Sequence, residues 1–262
     1  FTGSTAQGSS AVAIGYNSGL TSQGSNAIGI GNSAGSTNQA SYAIAFGYLA
    51  GGSTQGGSAI AIGASSASVS QGGGAIAIGN GSATTSQSAN AIAIGYLAAI
   101  TSQGLRSIAL GESSGASSQR EYSIAIGYQA SVTSQMDRSI SMGVNAGYSS
   151  QKSYAVAIGY RSGETSQSEF TVALGYQTGL TCQKQYATAI GYTAGEFSQS
   201  EYTVAIGYQA GESCQGLDSV AIGKNAGRTS QMNECIAIGN SAGLNSQKTY
   251  AIAIGYITGF TS

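Results

Sequence analysis

The chain is 262 residues long with a net charge of −1, and only 7% of its residues are charged, against about 25% in ordinary soluble proteins. That balance offers no electrostatic handle for nucleic acid or an anionic membrane, and the lack of histidine rules out a Ser-His-Asp triad. Proline and tryptophan are also absent, and no apolar run nears the ~18 residues of a transmembrane helix.

A glycine stands at Gly15 and at every sixteenth residue through Gly255, and a glutamine keeps the same step from Gln7 to Gln247. A period this regular means identical coils stacked on one another. It predicts an all-β solenoid of sixteen coils of 16 residues, one repeat array over 1–262 with no separate globular domain. Low complexity by itself would suggest disorder, but a large apolar residue recurs in phase in every repeat, which disordered tracts lack. The chain opens with Phe1 and stops at Ser262, both partway through a repeat, with no polar end coil and no basic-then-apolar leader. A segment of a longer fibre, or an array whose ends neighbours cover, is expected.

Along each repeat the first predicted element is a strand. The residue before the glycine is large and apolar (Ile14, Ile30, Phe46, Ile62, through Ile254), and two places earlier stands Val or Ile, with Thr188 the exception. Small residues such as Ala251 and Ala253 alternate with them. Both faces of this strand are therefore apolar, one bulky and one small, as in strands covered on both sides. One face looks into the thin coil; the other needs a partner that the solenoid does not supply.

The glycine then permits a corner. A second bend is predicted four residues on, at a site that is glycine in most coils but Ala67, Ala83, Ala99 or Ser131 in others. The last element is a short T-S-Q strand, as in Thr21-Ser22-Gln23, Thr101-Ser102-Gln103 and Thr229-Ser230-Gln231. Because Val69 and Phe197 replace its threonine, that phase is expected to face inward, on the same side as the glutamine.

All nineteen charged residues lie after residue 105, and none falls on the apolar strand, the glycine or the T-S-Q segment. Residues such as Arg106, Glu112, Glu121, Asp137, Lys152, Glu164, Glu196 and Lys224 mark the solvated corners. The three cysteines read as stand-ins for serine or alanine. Cys182 and Cys214 share one phase two coils apart, about 10 Å along a stack of ~4.8 Å rungs, too far for a disulfide. Cys235 takes a small-residue position.

The glutamines are expected to bond amide to amide from coil to coil. The tyrosines fall into two broken ladders: Tyr16, Tyr48, Tyr96, Tyr128, Tyr160, Tyr176, Tyr192, Tyr208 and Tyr256 after the glycine, and Tyr42, Tyr122, Tyr154, Tyr186, Tyr202 and Tyr250 before the strand. Stacked, they would stiffen a wall; exposed, they could meet glycans or another surface. The carboxylates lack the regular spacing of calcium-binding rolls, and no lysine-bearing phosphate loop is present. No catalytic, cofactor-binding or metal-binding residue is assigned, and no enzyme activity is expected. The sequons Asn80-Gly81-Ser82 and Asn233-Glu234-Cys235 are no more than chance supplies.

The strand-and-corner motif, as in Ser123-Ile124-Ala125-Ile126-Gly127 and Ser219-Val220-Ala221-Ile222-Gly223, resembles the head repeats of trimeric autotransporter adhesins, the YadA-like family, and is similar to repeats in phage and large-virus fibres. The resemblance implies a left-handed parallel β-roll, a homotrimer, a place on a cell or virion surface, and binding to matrix or host surfaces. One departure is length: the T-S-Q element makes this repeat longer than the usual one of the family. The expected function is a structural or adhesive extracellular fibre segment that binds surfaces or self-assembles. An ice-binding solenoid and an end-to-end filament are the alternatives, the former disfavoured by an inward threonine phase.

Overall fold

The computed structural model describes residues 5–259, and among them there is β-structure and no helix. The chain forms two compact units, divided after Thr133. In the first, eight apolar strands from Val12–Ile14 to Ile124–Ile126 pair in parallel; in the second, eight more run from Ile140–Met142 to Ile252–Ile254. Partners are sixteen residues apart, as in Ile76↔Ile92, Ala77↔Ala93 and Ile78↔Ile94. Each unit is thus a parallel β-solenoid, and the chain makes about sixteen coils. Amides bond forward and backward along the stack: Ile76 N donates to Ala91 O at 2.9 Å, and Gly79 N to Ile62 O at 2.8 Å.

The T-S-Q segments make a second wall. In the first unit it is a seven-stranded sheet from Thr5–Gln7 to Ser102–Gln103. In the second unit it is reduced to strand pairs and single bridges between glutamines, such as Gln167↔Gln183.

Between the walls lies a thin interior filled mainly by alanine, with serine or threonine in some coils and one amide side chain per coil. Ala45, Ala61, Ala77, Ala93 and Ala109 are fully buried, as are Ala157, Ala173, Ala189, Ala205 and Ala221. The small face of the apolar strand therefore turns inward, and its bulky face turns out.

The corner glycines have φ between +119° and +139°. At Gly95 an added Cβ would stand 2.5 Å from the carbonyl oxygen of Gly111 in the next coil. The second bend is also left-handed but holds ordinary residues: φ is 44° at Ala67, 48° at Ala83, 49° at Ala99 and 50° at Ser131.

Two further left-handed positions carry full side chains in most coils. Tyr42 and Leu49 have φ of 62° and 56°, and their counterparts Tyr186 and Thr193 have 61° and 46°. Such residues cost about 1–2 kcal/mol each. They are held by the ladder, since Leu49 N donates to Asn32 O at 3.0 Å and Thr193 N to Tyr176 O at 2.9 Å.

The threonine phase corrects the expectation of an inward face. Val69 and Phe197 are 49% and 48% exposed, and the threonines are exposed or half-buried. Alternation fails here because the segment is not a regular extended strand. Its middle residue is left-handed at Ala6, Ser22, Asn38, Ser166 and Cys182, and in other coils the strand is only two residues long, as in Ser70–Gln71. The hydroxyls bond along the outer wall, as in Thr101 Oγ1 donating to Ala116 O at 2.9 Å.

Candidate functional site: an outward apolar face between aromatic ladders

Three of the four ranks of side chains in the second unit that crowd one outer face follow from strand alternation. With Ala157, Ala173, Ala189 and Ala205 inward, the ranks Val156, Val172, Thr188, Val204 and Ile158, Leu174, Ile190, Ile206 must point away from the core. All eight are half-buried or exposed. In Val172–Tyr176 the strand continues through its glycine, which puts Leu174 and Tyr176 on the same exposed side.

The fourth rank precedes the strand. Tyr154, Phe170, Tyr186 and Tyr202 stack with centroids 5.0, 5.3 and 5.0 Å apart. Past the glycine, Tyr160, Tyr176, Tyr192 and Tyr208 do the same at 5.1, 4.9 and 5.2 Å. Ring planes lie within 3–13° of parallel. The spacing is that of the backbone rungs, so sixteen-residue register alone brings the rings together. At two rungs that lack a ring an arginine stands over the neighbouring one: Arg106 lies 5.7 Å from the Tyr122 centroid and Arg138 5.7 Å from that of Tyr154.

The glutamines are not part of any exposed site. Each described amide from Gln23 to Gln247 is at most 2% exposed. Gln87 Nε2 donates to Gln103 Oε1 at 3.0 Å and across the interior to Ile76 O at 2.8 Å. The expected ladder is there, and it also ties the two walls together.

The cysteines have no disulfide partners; Cys182 and Cys214 are exposed, and Cys235 is buried. No group of three or more Cys, Asp or Glu side chains among the described residues converges as a metal site would.

Charges keep to exposed or half-buried corners. Arg161 pairs with Glu164 at 2.8 Å and Arg228 with Glu212 at 2.6 Å. Burial raises the Glu196 carboxyl above the usual glutamate range, Glu212 pushes it the same way, and Arg161 opposes both. A carboxyl raised on folding lends stability below its unfolded pKa and loses it as pH climbs through the folded value. Glu196→Gln is therefore expected to raise the thermal midpoint at pH 7, with the gain vanishing in acid. A pH series of melting curves on both proteins checks this.

The YadA head domain repeat family model matches residues 2–18 and 102–130, in two copies. These two stretches are similar to YadA head repeats. Both matched stretches contain the apolar strand and its corner glycine, the elements on which the resemblance rested. Among curated proteins, none matches the chain. No helix among the described residues is long and apolar enough to cross a membrane.

Proposed function

We propose that the chain is a structural and adhesive segment of an extracellular fibre, in which copies associate through the outward apolar ranks, as a homotrimer of single, continuous arrays. The observation that carries this reading is the orientation of the bulky strand face. Ranks of Ile, Val and Leu rise coil after coil with part of each side chain open to solvent, whereas monomers rarely expose apolar patches beyond a few hundred Å². A second copy laid on this face would gain the transfer free energy of the part still exposed, a fraction of the ~1.5–3 kcal/mol for burying a whole side chain, repeated over every coil. The similarity to YadA head repeats agrees with such a role, and with a place on a cell or virion surface where matrix or host surfaces are bound.

Solution size tests it. The wild-type chain is expected to run as an assembled species, and Ile190→Asp with Ile206→Asp as a monomer of unchanged circular dichroism. Both substitutions sit outside the alanine core, and the circular dichroism shows whether the fold survives them. A wild-type monomer at micromolar concentration would refute the reading.

Ice binding gains one observation, the outward threonine phase on a wall that carries no charge from Thr5 to Gln103. Thermal hysteresis at micromolar protein, lost on Thr85→Lys with Thr101→Lys, is the outcome that would favour it.

A further inference from the structure

We propose that Tyr160, Tyr176, Tyr192 and Tyr208 form an oxidative coupling site, in which one-electron oxidants join neighbouring phenols into dityrosine staples between successive coils. The inference rests on ring geometry within one chain and does not depend on copies assembling.

Stacking decides what these rings can do. A sugar platform needs a free aromatic face, but here the faces lie against one another at 4.9–5.2 Å. What remains open is the ring edge with its hydroxyl and the two carbons ortho to it. All four side chains are exposed in the single chain, so an oxidant can reach them, and the Ile190→Asp, Ile206→Asp variant keeps them reachable where copies would cover this face. Coupling of two phenoxyl radicals in solution is limited by their encounter. Here the neighbouring ring already stands 4.9–5.2 Å away in the same chain, so the encounter is replaced by a short approach of two side chains.

The step balances with a haem peroxidase and hydrogen peroxide as the oxidising system. Each phenol gives up one electron and its hydroxyl proton. The two radicals bond through their ortho carbons, and the ring hydrogens displaced there return to the two oxygens as the rings regain aromaticity. The two protons and two electrons released reduce one hydrogen peroxide to two waters.

The other ladder supplies an internal control. Its second rung is Phe170, stacked between Tyr154 and Tyr186 at 5.0 and 5.3 Å. Phenylalanine has no hydroxyl to oxidise, so Tyr154 has no ladder partner to couple with, while Tyr186 and Tyr202 retain each other.

The test treats the full chain with peroxidase and hydrogen peroxide, follows dityrosine fluorescence and maps cross-linked peptides by mass spectrometry. Loss of two hydrogens per link is expected at the pairs 160–176, 176–192, 192–208 and 186–202, within single chains. Tyr176→Phe is expected to abolish links at Tyr160 and leave 192–208. Phe170→Tyr is expected to gain links from position 170 to Tyr154 and Tyr186, a gain that a misfolded variant would not produce. Links scattered over unstacked tyrosines such as Tyr16 and Tyr256, links formed only between chains, or no links while free tyrosine couples in the same mixture would each overturn the proposal.

Discussion

Replacing Gln87 by alanine is expected to destabilise its coils by about 3–5 kcal/mol, more than any surface substitution in the same repeat. The amide has four hydrogen-bond partners in a site only 2% exposed, one of its two N–H groups being shared between two acceptors. Its Nε2 donates to Ile76 O at 2.8 Å, Ala91 O at 3.2 Å and Gln103 Oε1 at 3.0 Å, and its Oε1 accepts from Gln71 Nε2 at 3.0 Å. Satisfied in this way, a buried polar chain is cooperative and specific; broken at one link, it leaves groups without water or partner. Gln87→Met separates the two contributions, because it fills the space and restores no bond. We expect it to recover less than half of the loss. Urea unfolding measures the size of the effect, and hydrogen exchange its reach, which is expected to fade within a few coils because repeats couple to their neighbours. Equal midpoints for wild type and Gln87→Ala would show that the ladder is incidental.

The second large effect is expected at the corner. Gly95→Ala places a Cβ 2.5 Å from Gly111 O at a φ of 138°, where only glycine is at ease. Backbone strain of about 1–3 kcal/mol and a displaced neighbouring strand costing about as much give a loss near 4 kcal/mol. Gly115→Ala is the matched control. Its φ is 56°, and the new Cβ would meet the buried Gln119 amide at 2.9 Å, a contact that the ladder already accommodates where Gln71, Gln87 and Gln103 stand four residues after an alanine. Alanine already stands at the equivalent positions 67, 83 and 99, so a loss of only about 1 kcal/mol is expected. Thermal melts of the two variants decide the matter: similar losses would mean that the corner is not set by the contact between coils.

How the sequence spoke depended on the kind of signal. Period, register and the inward glutamines were legible because each is written sixteen times at fixed spacing. Gly15 and its successors marked the sharp corner because no other residue tolerates that backbone next to a neighbouring carbonyl. The left-handed residues at Tyr42 and Leu49 were hidden, since bulky side chains do not advertise such a conformation, and neighbouring coils impose it through the ladder. The threonine phase misled for a related reason. Val69 and Phe197 suggested burial, and two-residue alternation was assumed through a segment whose backbone turns at Ser22 and Asn38. Of the candidate site, the tyrosine ranks could be counted in advance, but which strand face looked outward required the width of the interior. That width is set by Ala61, Ala77 and Ala93, packed against an amide and nothing larger.

The alternating forward and backward bonds have an evolutionary corollary. Because Ile76 looks ahead to Ala91 while Gly79 looks back to Ile62, every turn of the winding presents its neighbours with the same pattern it receives. A gene duplication of sixteen codons, or any whole multiple, can therefore be spliced in at almost any phase without disturbing the partners on either side. One codon more or fewer would leave a glycine facing an isoleucine at the junction where it fell, while the coils beyond kept register with one another. Growth by whole turns is open to this chain; growth by single residues is not.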